Sequence, residues 1–103
     1  MSPQAFVYTE VQISVPFHQA PWREINDLLR TQPGLLNKTW LSGDHNQSLG
    51  GFYAFDSMEN ARHFAHVYFP EEARKLGAAF TTRVFDGGIT ETASRDLASP
   101  HYS

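Results

Sequence analysis

The sequence has no cysteine among its 103 residues, which excludes disulfide frameworks, thiolate zinc sites, iron–sulfur clusters and cysteine nucleophiles together. It also has no basic run. Eight Lys plus Arg stand against eleven Asp plus Glu, a net charge of −3, and no segment is built to track a phosphate backbone, so nucleic acid is not an expected partner. No apolar stretch approaches the ~20 residues of a membrane span, and Met1-Ser2-Pro3-Gln4 carries neither the basic nor the apolar region of an export signal. No membrane association is expected, and the expected location is the cytoplasm. Glycine-rich phosphate loops are missing as well. Gly50-Gly51 lacks the glycine spacing, the lysine and the following helix that such loops require, and is expected instead to mark a bulge or a tight strand entry.

What is present is apolar and aromatic: 41% of the residues are hydrophobic and 14% aromatic, enough for one core in one domain. Phe6 to Val15 alternates with period two, placing Val7, Val11, Ile13 and Val15 on one face and Phe6, Tyr8, Glu10, Gln12 and Ser14 on the other, the pattern of a strand between two environments. Trp22, Ile25, Leu28 and Leu29 then recur at helical spacing up to Pro33-Gly34. Leu35 to Leu41 and Leu49 to Phe55, joined by the turn residues Gly43 to Asn46, predict an antiparallel hairpin. Ser57 is a good N-cap for a helix with Met58, Ala61, Phe64, Ala65 and Tyr68 on one side, and Pro70 predicts a break into a second piece that Gly77 ends. Ala79 to Phe85 reads as a last strand, and the polar residues 87–103 as a tail that is either disordered or laid over a neighbour.

Strand, helix, strand, strand, helix, strand is the order of a ferredoxin-like α+β domain with an antiparallel sheet, here residues 1–86. Its helices cover one face. The other face carries Phe6, Tyr8 and Phe85 beside Glu10, Gln12 and Arg83, an apolar patch of the kind that marks an interaction site. Two such sheets face to face make a dimeric α/β barrel, so a homodimer with a cavity between each sheet and its partner is expected.

Three segments extend this reading: Pro33-Gly34-Leu35-Leu36-Asn37-Lys38-Thr39-Trp40, Gly50-Gly51-Phe52-Tyr53-Ala54-Phe55, and Lys75-Leu76-Gly77 leading into Arg83-Val84-Phe85-Asp86. Over roughly Phe6 to Asp86 the chain resembles the YdhR-type mono-oxygenase family of the dimeric α/β-barrel superfamily. That resemblance implies a cofactor-independent monooxygenase acting on an aromatic or polyketide-like small molecule, with no metal. The same superfamily contains cyclases, isomerases and haem-degrading enzymes, so a cyclase, isomerase or lyase on a similar ligand, or a non-catalytic binding module, stays open. Lys38, Trp40 and Gly50-Gly51 match the family pattern without an assigned role.

The candidate site is the open face of the first and last strands. Glu10 and Arg83 are expected opposite one another, either as a self-satisfying ion pair at a dimer interface or as an acid–base pair in contact with ligand, with desolvation and the guanidinium pulling the carboxyl pKa in opposite directions. Tyr8, Gln12 and Phe85 join them as ligand contacts. Trp40 and Tyr53 supply flat aromatic walls or core packing. His66 is a candidate acid or base at a cavity edge. His63 and His66 are three apart on a helix, yet both miss the centre of its apolar stripe and no third ligand is apparent, so metal or haem ligation is not expected. His45 reads as a surface turn residue.

Overall fold

β1 (Ala5–Gln12) forms the hub because its alternation supplies both faces of a sheet: Ala5, Val7, Thr9 and Val11 are buried toward the helices, whereas Tyr8 and Glu10 are half-buried on the opposite face. The computed structural model describes Pro3–Tyr102; Met1, Ser2 and Ser103, and with them the start of the segment read for an export signal, lie outside the described residues. β2 (Leu35–Ser42), β3 (Ser48–Phe55) and β4 (Phe80–Asp86) complete a four-stranded sheet of order β2-β3-β1-β4. All three pairings are antiparallel. With the helices between β1 and β2 and between β3 and β4, this is the expected ferredoxin-like α+β fold.

α1 (Trp22–Leu29) presses Ile25 and Leu29 onto the sheet. It stops before Pro33, and Gly34, at φ +75°, makes the turn into β2 that a side chain would strain. α2 (Met58–His63) begins at Ser57, whose hydroxyl accepts the Asn60 amide at 3.1 Å as expected. The second piece expected around Pro70 is present, with Glu71 and Glu72 in its first turn, but it is joined to the first without a break in the helical backbone. α2 runs through a π-helical turn at Phe64–Tyr68 into α3 (Phe69–Lys75), with the Phe69 amide bonded to the Phe64 carbonyl. Proline has no amide to donate, and the wider turn ahead of it lets the helix pass the ring without stopping. Phe64, buried at the centre of this run, meets Tyr53, Phe55 and Tyr68 at ring separations of 4.7, 5.3 and 5.6 Å.

The C-terminal residues also differ from expectation. Rather than trailing off or leaving for a neighbour, they form α4 (Glu91–Asp96) and a 3-10 turn (Pro100–Tyr102) that folds back on the chain's own open sheet face. Tyr102 is buried there against Phe6 at 5.3 Å, its hydroxyl donating to the Gly87 carbonyl at 2.7 Å. Phe6 in turn stacks on Phe52 at 5.0 Å. The aromatic patch expected on this face is therefore partly covered by the protein itself, leaving Phe85 46% exposed. Replacing Tyr102 with Ala removes a buried ring and its hydrogen bond together, and should lower stability by about 3 kcal/mol. Urea denaturation followed by circular dichroism checks this, and a loss below about 0.5 kcal/mol, the range of an ordinary surface substitution, would show that the segment is not anchored as described.

Candidate functional site: an apolar cavity with one half-buried amine

Between the sheet and its helices lies a cavity of about 520 Å³. Thr9 and Val11 of β1, Lys38 and Trp40 of β2 and Tyr53 of β3 form its floor, α1 contributes Ile25, Leu28 and Leu29, and Phe64, Tyr68 and Phe69 close it from the other helical side. A shallower recess of about 340 Å³ beside α1 and β2 shares Lys38 and Trp40. Almost all the lining is apolar, so the few polar atoms stand out.

The hairpin register produces this floor. Lys38 pairs across strands with Tyr53, and Trp40 with Gly51. A bulge between Leu35 and Asn37 shifts the alternation by one, so that Leu35, Lys38 and Trp40 all face the helices. The glycine pair has a different explanation from a bulge. A Cβ on Gly50 would stand 1.9 Å from the Thr9 carbonyl oxygen, and one on Gly51 would stand 2.6 Å from Lys38 Cε and 3.0 Å from the Tyr53 ring. Gly50 thus allows close backbone approach, and Gly51 leaves the space that the lysine stem fills.

The Lys38 ammonium group lies 3.1 Å from the centroid of the Trp40 ring and 4.9 Å from that of Tyr53. No carboxylate among the described residues pairs with it. Burial alone pushes its pKa down to about 7, because the charged form has lost water without gaining an anion. The Trp40 indole is held by a 3.0 Å hydrogen bond from its Nε1 to Asn26 Oδ1 on α1, and Phe17 packs edge-on against it at 5.4 Å. Thr9 donates to the Tyr53 hydroxyl at 3.2 Å, and burial pushes that phenol up to about 12, keeping it protonated and free to donate. At the mouth, Glu72 pairs with Lys75 at 3.0 Å, and burial together with the Glu72 charge raises Tyr68.

Of the residues singled out from sequence, Trp40 and Tyr53 lie on the cavity wall. Tyr8, Glu10, Gln12, Arg83 and Phe85 lie on the other face of the sheet, and His63 and His66 are exposed on the helix surface. The expected Glu10–Arg83 opposition does not occur: the register sets Arg83 against Tyr8 and Thr81 against Glu10. Glu10 is instead satisfied within its own strand, accepting from the Tyr8 hydroxyl at 2.7 Å and from Gln12 Nε2 at 3.1 Å, and the first of these bonds raises the Tyr8 pKa. His45, at φ +58°, is a surface turn residue next to Asp44. Among the described residues no three His, Asp or Glu side chains are grouped to hold a metal ion, and no helix is long and apolar enough to cross a membrane. The residue that sequence reasoning left without a role is Lys38. Its signal was a lone charge two positions from a tryptophan in a strand.

The fold and the cavity define a ferredoxin-like α+β protein with an open-mouthed, small-molecule-sized space between sheet and helices. The chain belongs to the family described as "Putative mono-oxygenase ydhR", whose model matches residues 8–95. Among solved structures it is similar to SnoaB, a cofactor-independent oxygenase from Streptomyces nogalater, at 18% identity over 82% of this chain and 92% of that one, with a TM-score of 0.56. A mutant of SnoaB matches at 17% identity over the same shares, with a TM-score of 0.51. At these identities the likeness concerns the fold. No match was found among curated proteins.

Burial of Lys38 has a measurable consequence. Between pH 7 and the amine's ordinary value of 10.5, the unfolded chain binds a proton that the folded chain does not, so this residue makes stability rise with pH across that window. Below pH 7 the amine is charged in both states and its burial cost is fully present. Lys38→Met should therefore stabilise the protein relative to wild type by on the order of a few kcal/mol at pH 6, with the difference shrinking toward pH 10. Thermal unfolding of both proteins at pH 6, 8 and 10 measures it, and a difference independent of pH would contradict the burial.

Proposed function

We propose that the protein is a cofactor-independent monooxygenase that binds an aromatic, largely uncharged small molecule in the helix-side cavity. The observation that carries this reading is the apolar cavity walled by Trp40, Tyr53 and Phe64 in a chain of a mono-oxygenase family. Flat aromatic walls favour a planar ligand through stacked and edge contacts. Apolar walls favour charge transfer within the pocket over leakage to solvent. The substrate loses a proton beside a carbonyl or on a phenol ring, and the resulting carbanion reduces dioxygen directly. For a methylene flanked by aromatic rings the balance is CH2 plus O2 giving C=O plus water, with the substrate as the only reductant.

Proton removal needs a base within reach of the ligand. Glu10 and His66, the sequence-based candidates, lie outside the cavity wall, whereas the Lys38 amine is in it and is held near neutrality by burial. We assign the base to Lys38 and the binding walls to Trp40 and Tyr53. For Tyr8, Glu10, Gln12, Arg83 and Phe85 we propose the other role considered for that face, contact with a second copy of the chain across the part of the sheet that Tyr102 leaves open. Sedimentation at micromolar concentration should give twice the chain mass; a monomer would remove the homodimer.

The probe for activity is 1,8-dihydroxyanthrone, followed by an oxygen electrode against its spontaneous oxidation. Wild type should consume one dioxygen per quinone formed, with one labelled atom from 18O2 in product. Lys38→Met should lower turnover by roughly 10²-fold or more, and Glu10→Gln should leave it within about twofold. Equal turnover without dioxygen would favour a cyclase, isomerase or lyase, and binding without chemical change would favour a carrier.

A further inference from the structure

The chain contains two lysines, and the fold gives them opposite surroundings. Lys75 stands at the cavity mouth, its side chain 74% exposed and its ammonium paired with Glu72, which raises its pKa. Lys38 stands on the cavity floor between two aromatic faces, with no carboxylate partner among the described residues and with its Cε where a Cβ on Gly51 would crowd it, at 2.6 Å. An amine so placed keeps its lone pair available and meets ligands that partition into apolar walls, which carry no charge of their own.

Two further features bear on what such an amine does. Tyr53 pairs with Lys38 across the hairpin, and because its oxygen already accepts from Thr9, its own proton remains available for a ligand oxygen. The Trp40 and Tyr53 rings that flank Nζ would also face any cation centred on that nitrogen, and ring faces attract cations.

We propose that Lys38 captures an uncharged, apolar aldehyde or ketone as an imine, making the cavity a carbonyl-binding site. The Nζ lone pair attacks the carbonyl carbon, and the C=O pair moves to oxygen, which takes up a proton. The carbinolamine then loses that oxygen as water while nitrogen gives up its protons, so that ketone plus amine gives imine plus water with no change in oxidation state. This goes beyond proton removal and replaces it at this amine, which is no base once bonded to carbon: the imine, when protonated to an iminium cation, makes the neighbouring C–H more acidic than the free carbonyl does, and it identifies the ligand class as a carbonyl compound. Capture needs no dioxygen, so its success or failure is separable from that of the oxygenase reading.

The test uses 2-naphthaldehyde with sodium cyanoborohydride at pH 7 under nitrogen, followed by peptide mass mapping. The reductant converts an imine into a stable naphthylmethyl amine at the lysine that formed it. Wild type should be modified at Lys38 at least 10-fold faster than at Lys75, although Lys75 is the more accessible amine. Lys38→Met should lose the cavity adduct while keeping the slow labelling of Lys75 and the wild-type far-ultraviolet spectrum. Because the comparison of the two lysines is made within the wild-type protein, it does not depend on the variant folding. Modification of Lys75 at an equal or greater rate, or no adduct at Lys38, would overturn the proposal.

Discussion

Helices cover one face of a four-stranded sheet, and strand alternation assigns each strand side chain to one chemical environment or the other. β1 shows it most plainly, with Ala5, Val7, Thr9 and Val11 turned under the helices and Tyr8 and Glu10 turned away. The helix side becomes an apolar-walled space whose size is set by how far α1 and the α2–π–α3 run stand off the floor. The opposite side becomes a polar surface on which Glu10 is solvated by its own neighbours and Phe6 is covered by Tyr102. A one-residue slip in β1 would exchange these two sets and abolish both.

Lys38 is an exception that this arrangement tolerates at a cost. An ammonium on the apolar face has lost much of its hydration, and its attraction to the Trp40 and Tyr53 rings replaces only part of it. Such a residue lowers stability relative to an apolar one of the same length. Several neighbours are nevertheless arranged around it: Gly51 gives up a side chain, Asn26 fixes the indole, and Thr9 fixes the phenol. Polar groups with satisfied supports in a cavity that otherwise repels them are the expected pattern of a working site.

Much of this organisation was legible in the sequence where period and type agreed. The β1 alternation, the Ser57 cap and the order of elements each reported a local preference that the tertiary structure also favours, and so the ferredoxin-like fold followed. The hairpin was different. Leu35 and Lys38 have opposite parity along the strand, and only the bulge before Asn37 brings them to the same face; a bulge leaves no periodic signature. That is why Lys38 carries no role in the sequence pattern beyond its family match, while Glu10 and Arg83, by their strand positions, suggest a pair. The actual register offsets those two by two residues, which depends on how β4 docks and not on either strand's composition. The π turn at Phe64–Tyr68 and the return of Tyr102 were hidden for a related reason, since each is decided by packing against distant residues. A polar segment needs only one well-placed aromatic to become anchored.

A lysine amine held without a counter-charge beside an apolar cavity is a state that can be observed directly. With two lysines in the chain, uniform 13C labelling gives two Cε–Nζ signals whose chemical shifts follow protonation. A titration by NMR should resolve one amine with a midpoint about 7, lost in Lys38→Met, and another, from Lys75, titrating above 10.5. Two lysines titrating together in the ordinary range would contradict the account, because Lys38 would then be hydrated or paired and the cavity would hold no neutral amine.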